Sequence, residues 1–261
     1  MFIQALRNAG AIIFVKTTMP VTGMALETVS HLFGRTTCGF NRRLVSGGSS
    51  GGEGALVGLH GSPMGVGTDV AGSTRIPCAF NSIYGIRPST RRLSYDGVLT
   101  SRRGARGIAP AIGPMCHSVR DMELICKLAT DAKPWQQDPL TIAMPWAPRP
   151  PVPSKLCIGL LKFDGVVMPH PPILRGLEQA AAKLRSAGHE VIEFAPYQHQ
   201  RAWDIAVGRT VTQFHLFAHI ENSSVCIILQ ARRRSSRILP PRRNPGSQLS
   251  RDYTPIPYYM I

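Results

Sequence analysis

Residues 47–77 read GGSSGGEGALVGLHGSPMGVGTDVAGSTRIP. Two serines in glycine settings, Ser49 and Ser73, stand 24 positions apart in this stretch. Glycine lets a backbone approach a reacting group closely and take conformations that a side chain forbids. A serine so placed is a candidate nucleophile, with neighbouring backbone N–H groups available to hold an oxyanion. A flexible glycine/serine linker would also explain residues 47–54, but not Glu53, Leu56 or the ordered text that follows.

Working outward, residues 2–9 read as the end of a helix stopped by Gly10. Ala11–Val15 is a continuous apolar run, expected as a strand covered on both faces. Residues 47–54 read as loop, Glu53–Leu59 as the opening of a helix, and Ser62–Ser73 as a second glycine-punctuated loop. Ile83–Arg87 reads as a short strand and residues 101–113 as irregular. Ser118 is expected to cap a helix over Val119–Ala129, with Asp121 and Glu123 at the positive end of its dipole. Residues 133–153 carry seven prolines and read as an extended connection. A β-α-β pattern follows. Leu156–Leu161 is a strand. Pro172–Ala187 is an amphipathic helix with Ile173, Leu174, Leu177, Ala180, Ala181 and Leu184 along one side. Gly188 is a stop, and Val191–Phe194 is the next strand.

The block resembles the amidase signature family, serine hydrolases that cleave carboxamide C–N bonds. The resemblance rests on GGSSGGEGAL, on TDxxGS with the following R-I-P, and on YGIRPST downstream, in the family's order and spacing. KTTMP from Lys16 and the later LFGRT match a further family element. KLCIGLL and MPHPPILRGLEQAAAKLRSAGHEV look most like the fungal general, acetamidase-like members. The implied fold is α/β, a mixed sheet flanked by helices on both faces and incomplete in this chain. Residues 1–207 correspond to the middle of a family domain that is normally much longer.

The resemblance implies a role for each matching residue. Ser73 is the nucleophile, and Ser49 is a bridging serine on a cis Gly48–Ser49 peptide. The amides of Val70, Ala71, Gly72 and Ser73 form the oxyanion hole, where one such donor is commonly worth about 3 kcal/mol. Gly23, with Met24 beside it, lines the substrate pocket, and Asp69 with Arg75 braces the loop. The chain departs from the pattern at Val21 and Gly23, at Cys38-Gly39, at Ser46 where proline is usual, and at Ala71 where glycine is usual. The largest departure concerns the base. The family's catalytic lysine lies on an apolar strand further upstream than the 48 residues that precede Ser49 here. Lys16 is the only lysine in those residues, and it matches a different, non-catalytic position. Two other outcomes therefore stay open, an inactive amidase-like fragment or pseudoenzyme, and Lys16 as a substitute base.

Residues 47–51 also satisfy G-x-S-x-G. An α/β-hydrolase elbow needs a strand just before it and a helix just after it, and would make Ser49 the acylated residue. Asn41–Ser46 reads as a poor strand. No phosphate loop is present, because the glycine run lacks G-K-[ST].

Charge is lopsided, with 30 Lys+Arg against 15 Asp+Glu. Residues 1–207 hold 22 basic and 13 acidic groups, whereas 208–261 hold 8 and 2. Segment 208–261 has lost hydrophobic periodicity and reads as an aberrant, basic, disordered tail. Its tyrosines, Tyr253, Tyr258 and Tyr259, are not interleaved with its arginines, which speaks against nucleic-acid binding. The six cysteines form no C-x-x-C pair, as expected of reduced thiols in a cytoplasmic protein without a zinc site. No histidine pair carries convincing metal spacing, and His170 reads as a surface or packing residue. No apolar run is long enough to span a bilayer. The expected partner is a small-molecule amide, with no cofactor required; oligomeric state is not legible.

Overall fold

The computed structural model describes residues 1–100, 108–147 and 150–213, with side chains described as far as 206. The chain divides into two units, Met1–Arg149 and Pro150–Ile261.

In the first unit, α1 (Phe2–Asn8) ends before Gly10, whose φ of +95° suits glycine. The run Ala11–Val15 is not the buried strand that its apolarity predicts. It forms no strand and is unpaired, with Ile12 86% and Phe14 62% exposed. An apolar run expresses a preference for burial, yet a strand forms only beside a second backbone, and no described strand lies there.

Two antiparallel pairs follow, β1 (Val29–Ser30) with β2 (Gly34–Arg35) and β3 (Thr37–Cys38) with β4 (Asn41–Val45). Asn41–Val45 is thus a strand despite its two arginines. It is largely exposed and pairs only with β3, so both charges reach water.

Then come α2 (Gly51–Gly58), β5 (Met64–Asp69), α3 (Arg75–Phe80), β6 (Tyr84–Gly85), β7 (Ala111–Cys116) and α4 (Val119–Asp131). Strands β5, β7 and β6 form an antiparallel sheet with β7 in the centre and an unbroken register from Met64↔Cys116 to Asp69↔Ala111. Two expectations fail here. Ser62–Ser73 contains a strand, and residues 111–113, expected to be irregular, open β7. Gly65, Gly113 and Pro114 are turn residues by type, but packing uses them otherwise: Pro114 is a fully buried side chain, and the two glycines serve through the Cβ they lack. A Cβ on Gly65 would overlap the Glu53 carboxylate, and one on Gly113 would overlap the Ile86 carbonyl oxygen.

Every residue of β7 is buried, and its two faces serve two cores. Ile112 and Cys116 pack with Phe2, Leu6, Met122, Ile125 and Ala129 from α1 and α4. Met115 packs with Val57 of α2, Cys78 of α3 and Ile83. Helices therefore cover both faces of this sheet. Ser118 caps α4 as expected, accepting the Asp121 amide at 3.1 Å. The proline-rich connection opens with a single 3-10 turn, Pro134–Gln136.

In the second unit, β8 (Cys157–Leu160) pairs in parallel with β9 (Glu190–Glu193), joined through α5 (Pro171–Ser186). Leu160, Leu177 and Ala181 form its core, while Ile173 and Ala180 of the expected apolar side stay exposed. Helix α6 (His199–Gln213) continues past Val207. The rest of the basic segment, with His215 and His219, lies outside the described residues. The α/β content is as expected, with the described strands divided among four small sheets, three antiparallel and one parallel. Among the described residues, no helix is long and apolar enough to cross a membrane.

The packing at Gly113 gives a direct test. Gly113→Ala is expected to cost about 2–3 kcal/mol in urea unfolding followed by circular dichroism. Gly176 on α5 has open space around it, so Gly176→Ala is expected to stabilise the helix by about 1 kcal/mol. Equal effects from the two would contradict the packing described.

Candidate active site

The nucleophile candidate lies in the turn between β5 and α3, and the carboxylate of Asp69 organises that turn. Asp69 is 1% exposed. Its Oδ1 accepts the Gly72 amide at 2.7 Å and Arg75 Nη2 at 3.0 Å. Its Oδ2 accepts the Thr74 amide at 3.2 Å, the Arg75 amide at 3.4 Å and Arg75 Nε at 2.9 Å. Arg87 Nε lies 3.7 Å from Oδ1 and donates to the Asp69 carbonyl at 3.3 Å, while its Nη2 holds the Ala109 carbonyl at 2.9 Å. Burial by itself raises the carboxyl pKa, but Arg75 and the amides of Gly72 and Thr74 together outweigh it. The net shift is downward, so Asp69 is an anion.

This wrapping shapes the row of amides expected to form an oxyanion hole. The Gly72 N–H points at Asp69, and the φ of Gly72, +132°, is one that glycine tolerates. The amides of Val70, Ala71 and Ser73 have no protein acceptor among the described residues. Ala71 is not in the positive-φ region, so alanine fits where glycine was expected.

Ser49 lies in the turn between β4 and α2, 2% exposed, and the Gly48–Ser49 peptide is cis. A Cβ on Gly48 would lie 2.6 Å from the Ala25 carbonyl oxygen and 2.7 Å from the Glu27 amide nitrogen, which only glycine accommodates. Buried Thr28 holds the turn by donating to the Gly47 carbonyl at 2.9 Å and accepting the Gly51 amide at 3.1 Å. The two serine turns are joined directly, because the Ser50 amide donates to the Ser73 carbonyl at 3.0 Å. Ser50 Oγ also accepts the Thr68 amide at 3.2 Å. Gly23 borders the same place; a Cβ built on it would lie 4.0 Å from Ser49 Oγ.

Glu53 fastens this region to the KTTMP segment. Its Oε2 accepts Thr17 Oγ1 at 2.6 Å, and its Oε1 accepts the Val66 amide at 2.9 Å. The structure thus brings Ser49, Ser73, Gly23 and the Val70–Ser73 turn together. Thr28 is the residue that sequence reasoning missed. It sits in an undistinguished stretch, and only its long-range partners reveal it.

The hydroxyls of Ser49 and Ser73 make no hydrogen bond to a described protein group, and no described lysine reaches either. Lys16 is exposed, with its ammonium 3.8 Å from Met19 Sδ. Cys78, on α3, is pushed up to about 12 by burial, with Cys116 and Asp69 adding to it, so its thiol is no competing nucleophile. His170 is exposed at the start of α5.

The family described as Amidase matches residues 1–245. An amidase of Gibberella zeae is 44% identical over 218 residues, covering 83% of this chain and 39% of the relative. An acetamidase of Emericella nidulans is 46% identical over 207 residues, covering 77% of this chain and 38% of the relative. Among solved structures, a fatty acid amide hydrolase superposes with a TM-score of 0.78 at 37% identity, covering 80% of this chain and 37% of that one. The chain belongs to the amidase family. It spans under two fifths of the length of these two curated relatives.

Neutralising Asp69 should show the role of its charge. Asp69→Asn is expected to destabilise the first unit by about 3 kcal/mol at pH 7. Because the folded-state pKa lies below 3.8, this contribution is present above that pH and is lost as pH falls through the folded value. Urea titrations of both proteins from pH 7 downward should therefore converge in acid. A gap that persists there would mean the charge is not what matters.

Proposed function

We propose that this chain carries the acyl-transfer half of an amide-hydrolysing site. The substrate is a small-molecule carboxylic amide, and the products are the acid and ammonia or an amine. The observation that carries this reading is the direct joining of the two serine turns through the Ser50–Ser73 backbone hydrogen bond, beside a row of free amides. The sequence likeness to acetamidases supports the substrate class.

In the proposed reaction, Ser73 Oγ bonds to the carbonyl carbon and the carbonyl π pair moves onto oxygen. The amides of Val70, Ala71 and Ser73 face the developing oxyanion, with Gly72 shaping their turn. Ser49 passes the Ser73 proton towards the leaving nitrogen, the C–N bond breaks, and water then cleaves the Ser73 ester. Gly23 lines the substrate side of Ser49. We assign the chain to the cytoplasm, a reading supported by the free thiols Cys38, Cys78, Cys116, Cys126 and Cys157. Residues 1–207 are taken as part of the amidase domain and 208–261 as a basic extension, on composition alone.

A second reading, an amidase-like chain without activity of its own, has one observation in its favour. Among the described residues no lysine reaches the serine hydroxyls, and Lys16 is exposed.

A fluorophosphonate probe distinguishes the readings, because it phosphonylates an activated serine with loss of fluoride. Labelling of the folded chain is expected at Ser73, abolished in Ser73→Ala and reduced at least about a hundredfold in rate in Ser49→Ala. A folded chain that takes up no label would establish the inactive reading. Label carried by Ser49 in Ser73→Ala would move the nucleophile to Ser49.

A further inference from the structure

Ser46 and Asn81 are both 0% exposed and meet between the two serine turns. Asn81 Nδ2 donates to Ser46 Oγ at 2.9 Å, to the Ser46 carbonyl at 3.1 Å and to the Pro77 carbonyl at 2.8 Å. Three acceptors around one side-chain atom identify it as the amide nitrogen rather than the oxygen. Ser46 Oγ in turn donates to the Gly51 carbonyl at 2.6 Å, and the Ser46 amide donates to Thr36 at 3.2 Å. The contact is close because α2 presents glycines to it. A Cβ on Gly54 would lie 2.9 Å from Asn81 Nδ2, and one on Gly58 would lie 2.9 Å from Asn81 Cβ.

We propose that Ser46 and Asn81 are a positioning pair that fixes the placement of Ser73 relative to Ser49. Ser46 lies just before the Gly48–Ser49 peptide, and Asn81 closes α3, which begins just after Ser73. The first end of α3 is held by Asp69 and by the Ser50–Ser73 bond. A helix of six residues held at one end can pivot; the Asn81–Ser46 contact holds the other end. The hydroxyl of Ser46 adds a link from Asn81 through to Gly51 at the start of α2. The catalytic meaning of this pair rests on the proposed roles of Ser49 and Ser73.

The test is amide hydrogen exchange on the full chain, resolved at Ser50, in the wild type, Ser46→Ala and Asn81→Asp. Thr130→Ala serves as a reference, since it removes a buried hydroxyl hydrogen bond on distant α4. Ser50 exchange, normalised to α4 amides, should accelerate about tenfold in Ser46→Ala, the scale of one buried hydrogen bond, and not in Thr130→Ala. Ser50 protection that changes only in proportion to α4 in Ser46→Ala would overturn the pair. Ser46→Ala carries the test if Asn81→Asp does not fold. The rate of fluorophosphonate labelling at Ser73 is measured in parallel, and it should fall in Ser46→Ala by a factor similar to the exchange change. An unlabelled wild type would sink the amide-hydrolysis reading, while the exchange result would still decide whether the pair ties the turns. A labelled wild type with unchanged labelling in Ser46→Ala would overturn the positioning role.

Discussion

The Asp69 carboxylate is almost wholly removed from water, and a charge so placed must collect donors from its surroundings. It collects them from the turn that follows it, in the amides of Gly72, Thr74 and Arg75, and from the guanidinium of Arg75. The turn is therefore wound around an anion before any substrate arrives. That winding sets where α3 starts, and Ser73 stands at the threshold of α3. Arg87 carries the same constraint to the edge of the sheet by holding the carbonyls of Asp69 and Ala109.

The second serine turn is built on a different principle, close approach of backbones. Gly48 lies against the chain at Ala25–Glu27, and Thr28 satisfies polar groups on both sides of the cis peptide. The Ser50–Ser73 hydrogen bond then joins a turn shaped by charge to a turn shaped by steric fit. What results is a backbone scaffold in which neither serine hydroxyl is tied to a described protein group. The scaffold and the base are separate problems. The first is solved by Asp69, Thr28 and glycine, and the second is not met by any described lysine.

Much of this was legible in residue types. Ser49, Ser73 and the Asp69–Arg75 brace follow from glycine-framed serines in an ordered motif, because such text carries its geometry locally. Helix α4 was legible through its Ser118 cap, and the parallel β8–α5–β9 unit through its periodicity. Strands β5 and β7 were not, because Gly65, Gly113 and Pro114 carry turn chemistry by type and serve packing in the fold. The apolar run Ala11–Val15 misled in the opposite direction, since apolarity speaks of burial and pairing needs a neighbour. Strand β4 read as a poor strand because of its two arginines, which the fold leaves exposed to water.

By itself, then, the sequence determined the family, the two serines and the turn that carries each, since these rest on short stretches whose backbone needs are written in glycine, serine and aspartate. Tertiary structure alone decided which amides remain free beside Ser73, that Thr28 steadies the Ser49 turn, and that Ser46 and Asn81 meet. Each of these joins positions far apart in the chain, and a contact of that kind leaves no pattern in the residues on either side of it.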